Sequence, residues 1–140
     1  MHACLIVANQ TLTSRSLADA IAERLAEGPL RCYVVVPLVP VGGRLTWDEA
    51  SSRAAARDRL DDVLVRLRAM DVEVDGEVGD RDPVSAVRDA LRGREVDEII
   101  VSTLPKGISR WLGEDVPSRL RDSVPVPVVV VTQVAEQTPA

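Results

Sequence analysis

Short unbroken apolar runs alternate along this chain with longer stretches in which apolar residues recur every three or four positions. ACLIVA (3–8), RCYVVVPLV (31–39), DEIIVST (97–103) and VPVPVVVVT (124–132) are the continuous runs. They predict strands covered on both faces. VEVDGEV (72–78) alternates instead and predicts a strand less fully covered. Between the runs, SLADAIAERLAEG places Leu17, Ala18, Ile21, Ala22 and Leu25 on one helical face, and Gly28 and Pro29 end it. A loop holding Gly42 and Gly43 leads to Thr46 and then to WDEASSRAAARDRLDDVLVRLRAM, whose buried stripe is Val63, Leu64, Leu67 and Met70. DPVSAVRDALRG reads as a helix with Asp82 as its cap, Pro83 in its first turn and Val84, Val87 and Leu91 inward. VPSRLRDSV is a shorter one.

The resulting order, βαβαβαβαβ, implies a parallel sheet with right-handed crossovers and helices on both faces. The 140 residues suit one domain. Residues 1–132 form it, and the polar segment 133–140 is expected to be a flexible tail with nothing to pack. Sheets of this kind bind ligands outside the carboxyl ends of their strands, where the strand order reverses. The segments to search are therefore ANQT after the first strand, PLVP after the second, GDRDP after the third and STLPKG after the fourth.

Composition narrows the classes. There is no Phe and there are three other aromatic residues, so stacking platforms for bases are poorly supplied. Seventeen basic against twenty-two acidic side chains give a net charge of -5, the wrong field for a polyanion, and nucleic acid is not an expected partner. No apolar run approaches the ~18 residues of a membrane-spanning helix. MHACLIVANQ lacks both a cationic start and a small-residue cleavage site, so a cytoplasmic location is the default. Cys4 and Cys32 are too few for a disulfide framework, lack metal-ligand spacing and read as small core residues kept reduced. The single histidine, His2, stands at a chain end expected to fray, which leaves no histidine-based triad and no His/Cys metal site.

Each remaining candidate has a functional and a structural reading. Asn9 could bond a ribose or a base edge, with the following helix-start amides taking an anion, or Thr13 or Ser14 could simply cap that helix. Asp80 has the position of a receiver-domain phosphoacceptor. That mechanism also needs an acid pair after strand one and a lysine after strand five, where this chain has Asn9-Gln10 and Thr132-Gln133. Asp80 is therefore read as a turn residue and Asp82 as the cap. Glu114 and Asp115 are adjacent carboxylates that could serve acid/base chemistry or hold magnesium, or could complement a helix dipole. Trp111 either covers the end of the sheet or, beside Arg110, faces a partner.

VGDRDPVSAV, DEIIVST and SRWLGEDVPSRLRDSVPVPVVVV, taken with the order of elements, resemble the universal stress protein family over nearly the whole chain. The resemblance implies a three-layer α/β/α sandwich with a five-stranded parallel sheet in the order 3-2-1-4-5. Nucleotide-binding members of that family share a motif of Gly-x-x-Gly, nine residues, then Gly-Ser or Gly-Thr. Its small residues let backbone amides approach the phosphates. Laid along this chain, its glycines fall on Ser102 and Pro105, and its closing pair, after a one-residue gap near Lys106, on Glu114-Asp115. The adenosine-contacting Asp falls on Asn9, while Gly107 and Gly113 survive as loop glycines without restoring the spacing. Pro105 has no amide to donate, and two carboxylates beside a triphosphate would repel it by ~1–4 kcal/mol per close pair. Lys106 and Arg110 could offset that repulsion or pair with the two acids.

The leading expectation is thus a non-enzymatic, universal stress protein-like binding or regulatory protein that uses no cofactor. The alternative is an adenine-nucleotide binder, of ATP or AMP, with a rearranged pocket drawn from Asn9, Val35, Ser102, Lys106, Gly107, Arg110, Glu114 and Asp115. A third is a small magnesium-dependent phosphohydrolase working through Glu114 and Asp115. The resemblance also implies a homodimer formed through the uncharged edge strand Val128–Thr132.

Overall fold

The computed structural model describes residues 1–8, 15–38, 49–103 and 116–132. Within them every apolar run becomes a strand and every periodic stretch a helix. The elements are β1 (His2–Ala8), α1 (Arg15–Leu25), β2 (Leu30–Pro37), α2 (Glu49–Arg68), β3 (Glu73–Gly79), α3 (Pro83–Leu91), β4 (Glu98–Thr103), α4 (Val116–Ser123) and β5 (Val128–Thr132). All strand pairs are parallel, and the order is β3-β2-β1-β4-β5, as expected.

β1 lies at the centre, and its residues from Ala3 to Ala8 are all buried. The two-residue alternation of a strand divides the core into two layers. Cys4, Ile6 and Ala8, with Val34, Val36 and Ile100, pack beneath Leu17 and Ile21 of α1 and Leu60, Val63, Leu64 and Leu67 of α2. Leu5 and Val7, with Val35, Ile99 and Val101, pack beneath Val84, Ala86 and Val87 of α3 and Val116 and Leu120 of α4. Each fully buried aliphatic side chain contributes roughly 1.5–3 kcal/mol relative to exposure, so these layers dominate the energetics.

The structure departs from the sequence reading in four places. His2, expected at a fraying end, is the first residue of β1, and its Nε2 lies 2.6 Å from Glu98 Oε2. Ala22 faces solvent, and the inner stripe of α1 runs Leu17, Ile21 and then the partly buried Arg24. The Nε–H of Arg24 donates to Glu98 Oε1 at 2.8 Å, so a charged side chain clamps α1 to β4 where alanine was expected to pack. Burial pushes the Glu98 carboxyl up, but the hydrogen bonds from Arg24 and His2 outweigh it and hold that carboxyl below its ordinary value. In α3, Ala90 is fully buried and Leu91 only partly so. Finally, β5 starts at Val128 rather than at residue 124. The Val124 N–H closes the last turn of α4 on the Leu120 carbonyl, and Pro127, lacking a donor, only accepts, from the Ile99 N–H at 2.9 Å. The expected start of α2 beside Thr46 and the expected tail from residue 133 lie outside the described residues.

Gly79, the last residue of β3, shows why the turn after that strand needs glycine. A Cβ there would stand 2.7 Å from Ala86 Cβ and 3.0 Å from Val35 Cγ1. Neither neighbour is the free end of a flexible side chain, so α3 would have to lift off the sheet. Gly79→Ala is expected to cost about 1–3 kcal/mol through overpacking. Thermal unfolding should register this as a fall in Tm of roughly 4 °C or more, and an unchanged Tm would show that α3 accommodates the methyl group.

Candidate functional site

In this strand order the chain leaves β1 toward β2 on one side and leaves β4 toward β5 on the other. Sheets of this order have their ligand crevice at the carboxyl ends of these two strands; the connections that follow them here, residues 9–14 and 104–115, lie outside the described residues. Ala8 and Ser102 are register partners at that point, and Ser102 in turn pairs with Val131 of β5. All three lie on the α1 side of the sheet, since Ala8 and Val131 belong to the layer beneath α1 and α2. Ser102 is completely buried, and its Oγ has no hydrogen-bond partner among the described residues. An unpaired buried hydroxyl costs about 1–3 kcal/mol, so this one is an unusual occupant of an otherwise aliphatic layer.

The sequence-derived candidates are only partly brought together. Ser102 stands at the crevice. Val35 is also completely buried, but its side chain belongs to the opposite layer, beneath α3 and α4, and its backbone lies within the ladders to Val7 and Glu77. The two side chains therefore do not share a surface. Asn9, Lys106, Gly107, Arg110, Glu114 and Asp115, together with Pro105 and Trp111, lie outside the described residues.

The turn between β3 and α3 borders the same end of the sheet. Asp80 Oδ1 accepts from the Asp82 N–H at 2.9 Å, the geometry of a turn residue rather than of a phosphoacceptor. Asp82 is the N-cap of α3, its Oδ2 accepting from the Ser85 N–H at 3.2 Å and the Ser85 hydroxyl at 3.0 Å. Its other oxygen, Oδ1, accepts from Arg119 Nη2 of α4 at 3.0 Å. Sequence reading found the cap from the Asp-Pro signature but not Arg119. Nothing local in the sequence pairs residues thirty-seven positions apart.

Comparison with known proteins rests on shape. No family model matches the sequence, and no curated protein does. A universal stress protein from Archaeoglobus fulgidus aligns over 94% of this chain and 93% of its own, with a TM-score of 0.64 and 19% identity. A member of the same family from Burkholderia pseudomallei aligns over 91% and 94%, with a TM-score of 0.54 and 19% identity. A family member from Arabidopsis thaliana, solved with AMP bound, aligns over 99% and 96%, with a TM-score of 0.59 and 13% identity.

The chain has the fold of the universal stress proteins.

At these identities the likeness is one of fold, and the chemistry has to come from the residues themselves. A universal stress protein fold presents two ends to solvent, and a concavity among the described residues lies at the amino ends of the strands. It is a cleft of about 560 Å³ beside the amino ends of β1, β2 and β3, with Cys4, Cys32, Tyr33, Glu73 and Arg94 in its wall. Two of its polar side chains, Tyr33 and Arg94, are engaged. The Tyr33 hydroxyl donates to Glu77 Oε1 at 2.9 Å, and the Arg94 guanidinium lies 3.7 Å from the centre of the Tyr33 ring. Burial, with Glu77 as hydrogen-bond acceptor, pushes the Tyr33 phenol up to about 12. That pairing marks the Tyr33 wall as structural. No described helix is long and apolar enough to cross a membrane.

The Asp82 cap carries a pH signature. Burial pushes its carboxyl up, and the hydrogen bonds from Ser85 and Arg119 outweigh that and hold it below the ordinary value of 3.8. A depressed folded-state pKa contributes stability above the unfolded value and loses it as the pH falls through the folded one. The Arg119 and Asp82 side chains are 46% and 38% exposed, so their pair contributes only ~0–1 kcal/mol. The cap itself contributes about 1 kcal/mol. Asp82→Ala is expected to lower stability by about 1 kcal/mol at neutral pH. Chemical denaturation should show that gap narrowing once the pH drops below 3.8. A penalty independent of pH would mean that the carboxylate charge plays no part.

Proposed function

We propose that this protein is a non-enzymatic binding protein of the universal stress type that does not hold ATP through a glycine-rich loop. The observation behind this reading is Ser102. It stands near the end of β4, in register with the last residue of β1, where the resemblance to nucleotide-binding members calls for a glycine, and it is completely buried. A side chain is turned into the core where the family motif has none. The motif's second glycine position is Pro105, which has no amide to offer a phosphate. Its closing Gly-Ser is replaced by Glu114-Asp115, whose charges oppose a triphosphate.

A second reading has an observation of its own. The Ser102 Oγ is buried with no partner among the described residues, and a ligand acceptor reaching the crevice would satisfy it. The Arabidopsis thaliana protein of this fold was solved with AMP bound. An adenine nucleotide in a rearranged pocket, held by Asn9, Ser102, Lys106 and Arg110, is the form that reading takes. Calorimetry with ATP and with AMP, at physiological salt and with magnesium, separates the two. The expected outcome is a Kd weaker than ~10 μM for both, that is, less than about 7 kcal/mol of binding free energy. Tighter binding of either nucleotide replaces the first reading with the second.

The same proposal includes a homodimer through β5. That strand is at the edge of the sheet, and Val129, Val130 and Val131 are only partly buried. An uncharged edge of this kind recruits another strand, and pairing with its own twofold copy closes the assembly at two chains. Light scattering at micromolar concentration is expected to give twice 15.2 kDa, and Val130→Pro to shift the protein toward monomer. A monomer of 15.2 kDa in the unaltered protein would refute the dimer.

A further inference from the structure

The amino ends of three adjacent strands carry a cluster that the nucleotide question does not use. Cys4 of β1 is in register with Cys32 of β2 on one side and with Glu98 of β4 on the other. Three heteroatom-bearing side chains thus stand in one row, on the α1 face. His2 precedes Cys4 by two positions along β1 and so projects to that same face. Its Nε2 lies 2.6 Å from Glu98 Oε2. One ligand atom from each of His2, Cys4 and Glu98 lies within 4.8 Å of the other two. We propose that these three side chains form a site for a borderline-soft divalent transition metal ion, zinc being the ion that fits them best.

The donor set is the first argument. A thiolate and an imidazole select zinc and its neighbours over magnesium and calcium, which prefer all-oxygen ligands. Zinc takes Cys, His and carboxylate ligands together at roughly 2.0–2.3 Å, which at a tetrahedral angle separates the ligand atoms by about 3.3–3.8 Å. The His2–Glu98 contact opens to admit the ion while the wider separations contract.

The surroundings of the three ligands are the second argument. Asp97 Oδ2 stands 3.6 Å from His2 Nδ1, placing a carboxylate on the ring nitrogen that faces away from Glu98. Asp97 is held there by the Ala3 N–H, which donates to the same oxygen at 2.8 Å. Arg24 bonds Glu98 Oε1 through both Nε and Nη2, which fixes the carboxylate plane and leaves Oε2 as the ligand atom. Cys32 lies beside Cys4 as a supporting thiol rather than a fourth ligand. Outer partners of this kind orient metal ligands and tune their basicity.

Charge balance is consistent with a dication. With the Cys4 thiolate, Glu98 and Asp97 against Arg24, and a neutral imidazole, the cluster carries a net charge of about -2, and a dication neutralises it. Arg24 repels the ion but is outweighed by these three anions. On binding, the Cys4 thiol releases its proton to solvent and sulfur donates the freed pair to the metal. A water completes the fourth position. The ion has two routes in, because the His2 side chain is 41% exposed and Cys4 lies in the wall of the amino-end cleft.

Cobalt(II) titration of the full chain, reduced and carrying no appended histidines, tests the site. The expected result is one cobalt per chain with a thiolate-to-cobalt charge-transfer band in the near ultraviolet, displaced by zinc. Cys4→Ser should abolish the band, His2→Ala and Glu98→Gln should each weaken cobalt binding tenfold or more, and Cys32→Ser should keep the band. His2 is partly exposed, so His2→Ala decides the matter even if Cys4→Ser fails to fold. The proposal is overturned by the absence of the band at stoichiometric cobalt. It is overturned equally by His2→Ala binding cobalt as the unaltered chain does, which would leave His2, Glu98 and Arg24 a purely structural ion cluster.

Discussion

A parallel strand with neighbours on both edges and helices on both faces has no place for an unpaired polar group, and β1 meets that condition from Ala3 to Ala8. Its backbone is consumed by two parallel ladders and its side chains by two apolar layers. Every other element is placed relative to it. α1 and α2 close the layer that holds Cys4, Ile6 and Ala8, and α3 and α4 close the layer that holds Leu5 and Val7. Chemistry is thereby driven off the middle of the molecule and onto the two ends of the sheet.

The two ends differ in kind. At the carboxyl end the polar equipment among the described residues is sparse. The Ser102 hydroxyl has no partner among the described residues, and the carboxylate of Asp82 is spent on capping α3 and on Arg119 of α4. At the amino end the groups are crowded and mutually engaged, with Arg24, Glu98, His2 and Asp97 in one chain of contacts and two thiols beneath them. Folds of this type place their ligands at the carboxyl end for a geometric reason, the divergence of connections at the switch point. Nothing in that reason forbids a second site where strand starts bring donor side chains into one row.

Charged side chains act here as clamps between elements rather than as sources of bulk stability. Arg24 joins α1 to β4 and Arg119 joins α4 to the start of α3. The Asp82–Arg119 pair is exposed enough to be worth little on its own. Its effect is on register, holding helices whose apolar faces alone would tolerate some sliding. Gly79 acts toward the same end by absence, letting Ala86 approach the sheet within the width of a single methyl group.

Local patterning was enough to establish the class of this protein. Strand and helix periods differ, runs buried on both faces read as continuous, and Asp-Pro marks a capped helix start, so the alternating elements and the Asp82 cap were legible residue by residue. The strand order came from the family resemblance, because periodicity says that a strand is buried but not which strand lies beside it. Pairings between distant positions were hidden for the same reason. Arg24 falls on the same helical face as Leu17 and Ile21, and only the position of Glu98, seventy-four residues on, gives that arginine a partner as it turns inward. Val35 and Ser102 were both drawn into one candidate pocket, yet the parity of their strands sends them to opposite layers. Cys4 and Cys32 have no metal-ligand spacing in sequence, and His2 stands at what reads as a loose end. Sheet register alone brings Cys4, Cys32 and Glu98 into one row, because a parallel ladder converts separations of tens of residues into the width of a strand.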